Sequence, residues 1–145
     1  MPIKSFRGNI ESGNVQTIPL HTNDGSTGYK IVKFEAMFEN HAGLTTEATL
    51  KIYSVNQTSV DGVIDFSDQT LLGAAFIENN NTTTSFGGKT IIFDNMIFNQ
   101  DIYVTYIEAG SAQAGNYYIE LEQVKLSLDE NTVATLKDIR NIKSQ

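Results

Sequence analysis

Apolar and polar residues alternate along this chain in eight short runs, and the gaps between them are rich in Gly, Asn, Thr and Asp. Alternation with period two, carried by β-branched and aromatic residues, predicts half-buried β-strands. The clearest run is 29–39, where Val32, Phe34, Ala36 and Phe38 share one face and Lys33, Glu35 and Met37 the other. The run 46–55 repeats it, with Ala48, Leu50 and Ile52 inward and Glu47, Thr49, Lys51 and Tyr53 outward. The tight HAGL segment at 41–44 predicts that these two runs form a hairpin. Further strands are expected at 3–10, 15–21, 71–78, 89–93, 101–108 and 116–126. Pro19 makes the second of them an edge strand or a bulged one, because it cannot donate to a ladder.

In the last run Tyr117, Ile119 and Leu121 point one way, while Val124, Leu126 and Leu128 continue on the opposite parity. That change predicts a bulge or bend near Glu122–Gln123. One segment has the periodicity of a helix. Val133, Leu136 and Ile139 recur every third residue after a capping-box pair, Ser127 and Glu130, which predicts a short C-terminal helix at about 130–141. The gaps at 56–70 and 79–88 exceed ordinary hairpin length, and long loops are where binding often resides.

Composition narrows the class. At 145 residues without cysteine, the chain is long enough for one domain with a full core and no disulfide staples. No stretch is apolar enough for a secretory signal or a membrane span, so a product without membrane association, made in the cytoplasm, is expected. The net charge of −7 opposes nucleic-acid binding, which needs clustered cations. The charge is unevenly spread: residues 1–10 carry Lys4 and Arg7 without an acid, and residues 136–145 carry Lys137, Arg140 and Lys143 against Asp138 alone. These five cations are candidate docking residues for an acidic partner surface; the C-terminal three would equally complement a helix dipole.

Candidate chemistry is sparse. Asp61, Asp65 and Asp68 gather in one loop, but without the ligand spacing of an EF-hand. His21 and His41 stand alone, whereas a zinc site needs three or four ligands. Glu120 and Glu122 alternate with apolar residues as a solvated strand face does, and no nucleophile elbow, Walker or dinucleotide pattern occurs. No catalytic residue, metal or cofactor is expected. Outward Ile31, Met37, Tyr53, Tyr103 and Tyr118 are interface candidates instead, since apolar residues on a nominally solvated face suit a subunit contact. The tyrosines could otherwise form a sugar-stacking platform, a reading weakened by the absence of Trp.

The segments IPLHTNDGSTGYKIVKFEAM (18–37), TIIFDNMIFNQDIYVTY (90–106) and NYYIELEQVKLSLDENTVATLKDIRNIK (116–143) resemble small virion-type proteins of marine tailed phages. The resemblance runs nearly end to end and brings no catalytic residues with it. It implies a β-sandwich, synthesis in a host cytoplasm and a place on or near the phage particle. The expectation is therefore an all-β, antiparallel sandwich of jelly-roll type with a short C-terminal helix, an immunoglobulin-like sandwich being the alternative. The expected role is a non-enzymatic virion structural or accessory protein, such as a capsid decoration subunit. It would form a homo-oligomer, a trimer being favoured, and contact other virion proteins but neither nucleic acid nor membrane. A carbohydrate-binding module for cell-surface attachment is the alternative function.

Overall fold

The alternating runs become strands β1 (Ile3–Ile10), β2 (Asn14–Ile18), β3 (Thr27–Phe38), β4 (Thr46–Tyr53), β5 (Leu71–Asn79), β6 (Lys89–Phe93), β7 (Ile102–Ala109) and β8 (Gly115–Lys125). The computed structural model describes residues 2–22, 25–40, 45–79, 88–110 and 113–127. The strands form a three-stranded antiparallel sheet of order β1-β8-β3 and a five-stranded antiparallel sheet of order β2-β7-β4-β5-β6. The pairs β1·β8, β2·β7 and β4·β5 are those of one long antiparallel hairpin rolled on itself, which is the jelly-roll arrangement. β6 departs from that pattern: it hydrogen-bonds to β5 and meets β3 through the Lys89–Glu35 ion pair (3.3 Å). β2 lies at a sheet edge and ends just before Pro19, as the missing N–H requires. The expected helix at 130–141 and the HAGL turn lie outside the described residues.

The core fills the space between the sheets. Phe34, Ala36, Phe38, Ile119 and Leu121 of the smaller sheet face Leu50, Ile52, Ala75, Ile102 and Val104 of the larger. Two tyrosines fill spaces left by glycines. Tyr117 passes beneath Gly8, where a Cβ would fall 2.6 Å from its hydroxyl oxygen, and donates to Gln16 Oε1 (2.8 Å). Tyr106 lies against Gly115, where a Cβ would fall 2.5 Å from its ring, and donates to the Gln113 carbonyl (3.0 Å). Burial pushes both phenols above their ordinary pKa.

Four expectations are corrected. The β3 register shifts between Ile31 and Lys33, so Val32 is the extra residue of a bulge. A one-residue slip reverses which side chains face inward: Ile31 enters the core at 3% exposure and Val32 leaves it at 37%. The irregularity expected at Glu122–Gln123 is absent there, since those residues stay in register with Lys30 and Tyr29. It sits one position away on the facing strand, while Leu126, beyond the end of β8, is buried against Gly28. The expected β3–β4 hairpin does not form. Both edges of β4 are occupied by β5 and β7, and β3 pairs with β8, so the connection crosses from one sheet to the other. Finally, Thr49, Lys51 and Tyr53, expected to face solvent, are buried.

Candidate interaction surface

The burial of Thr49, Lys51 and Tyr53 follows from what lies over them. The long 54–70 connection crosses the outer face of the five-stranded sheet, and Lys51 fastens it: its ammonium donates to Asp61 Oδ1 (3.0 Å) and the Val63 carbonyl (2.8 Å). The same ammonium sits 5.4 Å from the centre of the Tyr53 ring, a cation–π contact. Burial alone would lower the Lys51 pKa, but its contacts with Tyr53 and Asp61 outweigh that and raise it. The Lys51 hydrogen bond in turn lowers the pKa of Asp61, whose side chain remains 63% exposed.

The loop carboxylates turn back on their own backbone. Asp61 accepts from Val63 N (3.1 Å), Asp65 from Ser67 N (2.9 Å) and Asp68 from Thr70 N (2.9 Å), each a local turn of the Asx kind. Ser67 Oγ and Thr70 Oγ1 add hydrogen bonds of 2.6 and 2.7 Å to the latter two. Among the described residues no three His, Cys, Asp or Glu side chains gather as metal ligands would. His21 Nδ1 meets Asp101 Oδ1 at 2.7 Å, and the same oxygen accepts from Leu20 N (2.8 Å) and His21 N (3.0 Å). His41 lies outside the described residues.

Large apolar side chains of the 54–70 connection, of β6 and of the segment after it remain in solvent. Val63 is 65% exposed, Phe66 67%, Ile92 51%, Phe93 37% and Ile97 40%. Phe66, Leu71, Ile92 and Phe93 line a groove of about 450 Å³, with Asp68 and Asp94 at its polar margin. The Asp94 amide donates to the Leu72 carbonyl (2.8 Å), fixing the strand end beside β5. The cause is topological. β6 extends the larger sheet past the smaller one, so apolar residues on both of its faces lack a complete covering layer.

The outer face of the three-stranded sheet has a different character. Cross-strand register sets Arg7, Tyr118 and Glu35 in one row and Asn9, Asn116 and Met37 in the next, around a depression of about 520 Å³. Asn9 Nδ2 donates to Asn116 Oδ1 (3.0 Å) and Glu39 Oε2 (2.9 Å), and the Tyr118 hydroxyl donates to Glu120 Oε2 (2.7 Å). The Glu120 hydrogen bond raises the Tyr118 pKa. Lys33 lies 5.8 Å from the Tyr118 ring centre, and Lys30 pairs with Glu122 (3.2 Å).

The five interface candidates therefore do not form one patch. Ile31 and Tyr53 are buried, Tyr103 is half-buried opposite Tyr53 on the larger sheet, and Met37 and Tyr118 are neighbours on the smaller. No three-tyrosine platform exists, because Tyr118 lies on a different sheet from Tyr53 and Tyr103. Of the docking candidates, Lys4 and Arg7 are exposed on β1, with Lys4 5.9 Å from the centre of the Tyr29 ring. Lys137, Arg140 and Lys143 lie outside the described residues. Phe66, Ile92 and Phe93 were missed by the alternation argument. The signal for Ile92 and Phe93 was the consecutive apolar triplet Ile91-Ile92-Phe93, apolar on both faces of a five-residue strand; Phe66, in the connection before β5, had no such signal.

No family model and no curated protein matches the chain. Among solved structures, it is similar to a presumed glycoside hydrolase from Bacteroides thetaiotaomicron, with 11% identity and a TM-score of 0.29. The match covers 79% of this chain and 41% of the other, and at that TM-score it carries no inference about activity.

Proposed function

We propose that this protein is a non-enzymatic structural or accessory subunit of a phage particle, a capsid decoration protein or one similar, that works by self-association and by docking on other virion proteins. It is made in the host cytoplasm and resides on the virion. The observation that carries the reading is the exposed apolar groove at the β6 edge, to which Phe66, Ile92 and Phe93 contribute. Apolar side chains gathered at one exposed groove mark an interaction site. The resemblance of the three long segments to virion-type phage proteins supplies the setting, and a trimer remains the favoured assembly. The test is mass spectrometry of purified particles beside light scattering of the isolated chain. Stoichiometric presence in particles and a mass above the monomer support the proposal; absence from particles defeats it.

A second reading, glycan binding for cell-surface attachment, is favoured by the depression on the smaller sheet, where Arg7, Asn9, Glu35, Asn116 and Tyr118 offer hydrogen-bonding groups beside an aromatic ring. Retention on a glycan array that disappears in Tyr118→Ala would support it over the first.

A further inference from the structure

We infer that the groove at the β6 edge receives the β1 edge of a second copy of this chain, a heterologous contact that rests on the self-association proposed above and specifies its chemistry. The groove has an apolar floor that includes Phe66, Ile92 and Phe93 and an acidic margin at Asp68 and Asp94, and none of its described lining residues is a cation. The β1 edge is its complement. It carries Lys4 and Arg7 with no acid among residues 1–10, Ile3 is 51% exposed, and the acids across from it on β8 are engaged elsewhere, Glu122 by Lys30 and Glu120 by the Tyr118 hydroxyl. Long basic side chains suit such a margin, because their stems cover apolar surface while their heads reach the carboxylates.

Topology requires the two edges to meet on different molecules. β1 ends the smaller sheet over β2, whereas β6 ends the larger sheet beside β3 and β5, so the basic and acidic edges lie at opposite ends of the sandwich. Charge also selects this contact over its symmetric rival. Two β6 edges facing one another would set Asp68 and Asp94 against the same acids, a like-charge juxtaposition that suppresses association. A heterologous contact of this kind closes a ring where its repeated rotation returns to the first subunit and otherwise continues as an open filament.

Reciprocal charge exchange in the full-length chain tests the contact. One variant carries Lys4→Glu with Arg7→Glu; the other carries Asp94→Lys with Gln69→Lys and leaves Asp68 in its turn with Thr70. Light scattering across a concentration series at low salt should give an oligomer for wild type, a monomer for each variant alone, and renewed association when the variants are mixed. Phe66→Ser, at a largely exposed position, should also lose association while circular dichroism shows an unchanged fold. Retention of the wild-type mass by the Lys4/Arg7 variant, or no association in the mixture of two folded variants, overturns the contact. A monomeric wild type overturns it too, even when particles contain the protein and the virion reading stands. Conversely, absence from particles with successful charge exchange defeats that reading and leaves the contact supported.

Discussion

The bulge at Val32 makes neighbouring residues respond oppositely to the same truncation. Ile31→Ala removes three carbons from a side chain that is 3% exposed. At about 0.8 kcal/mol per buried methylene this costs about 2.4 kcal/mol in transfer free energy. The cavity left between Ile31 and the surrounding core raises the expected loss to about 3–4 kcal/mol. Val32→Ala removes two carbons at a position that is 37% exposed, and its loss should be about 1 kcal/mol or less. Urea unfolding followed by far-UV circular dichroism measures both, with protomer concentration held fixed because association would add to apparent stability. Without the bulge, plain alternation from Phe34 would put Val32 in the core and Ile31 in solvent. Equal losses, or a larger one for Val32→Ala, would refute the register shift and with it the placement of Tyr29 and Ile31.

Three further outcomes follow from the packing and the ion pairs. Gly115→Ala should cost about 1–3 kcal/mol in chemical denaturation, because its Cβ would fall 2.5 Å from the fully buried Tyr106 ring; an unchanged midpoint would mean the ring is not packed there. Lys51→Met keeps the packed stem and leaves Asp61 largely solvated, so stability near neutral pH should change by less than about 1 kcal/mol. The raised Lys51 pKa means that its ionic contribution is fully present below the unfolded value of 10.5 and is lost as pH rises through the folded value, so alkaline unfolding curves should shift in favour of the Met variant. At Asp101, burial pushes the carboxyl up, but the His21 side chain and the amides of Leu20 and His21 outweigh it and hold it below 3.8. Its contribution is therefore present above that pH and lost as pH falls through the folded value, so the stability gap between wild type and Asp101→Asn should narrow in acid; a widening gap would contradict the assignment.

The sequence made the sandwich legible because period-two alternation reports one buried face per strand. It located the eight strands of the described residues and the inward parity of Phe34, Ala36, Phe38, Leu50, Ile52, Ile119 and Leu121. It could not locate the bulge, because both Ile31 and Val32 are apolar and either could have filled the core. The outer face of β4 was misread for another reason. Lys51 looks like a solvent residue by type, and its burial depends on a covering loop, which its ammonium meets at Asp61 and the Val63 carbonyl. Hairpin expectation failed between β3 and β4 because the winding sends these two strands to different sheets, a long-range choice that a four-residue turn cannot encode. The interaction edge was half legible: Ile91-Ile92-Phe93 announces apolar residues on two faces, but whether both are covered depends on which sheet accepts β6.

That last dependence links the fold to the proposed role. Had β6 joined β3, each sheet would have held four strands and the inner face of β6 would have been roofed by the opposite layer. By pairing with β5 it produces five strands against three, and the unmatched strand carries Ile92 and Phe93 beyond the smaller sheet. The covering loop does not remedy this. It is held over β4 by Lys51 and brings Phe66, 67% exposed, to the same groove. Two independent parts of the chain thus place large apolar side chains at one site, at a hydration cost that a monomer would avoid. Covering them with a neighbouring subunit recovers that cost, and the acidic margin selects a basic edge as the cover. Salt dependence is decisive: charge-selected association should weaken as ionic strength screens the margin, whereas contact by apolar burial alone should persist or strengthen with salt. Sedimentation velocity on wild type across a salt series separates the two, and salt-insensitive assembly would remove the charge complementarity on which the β1 assignment depends.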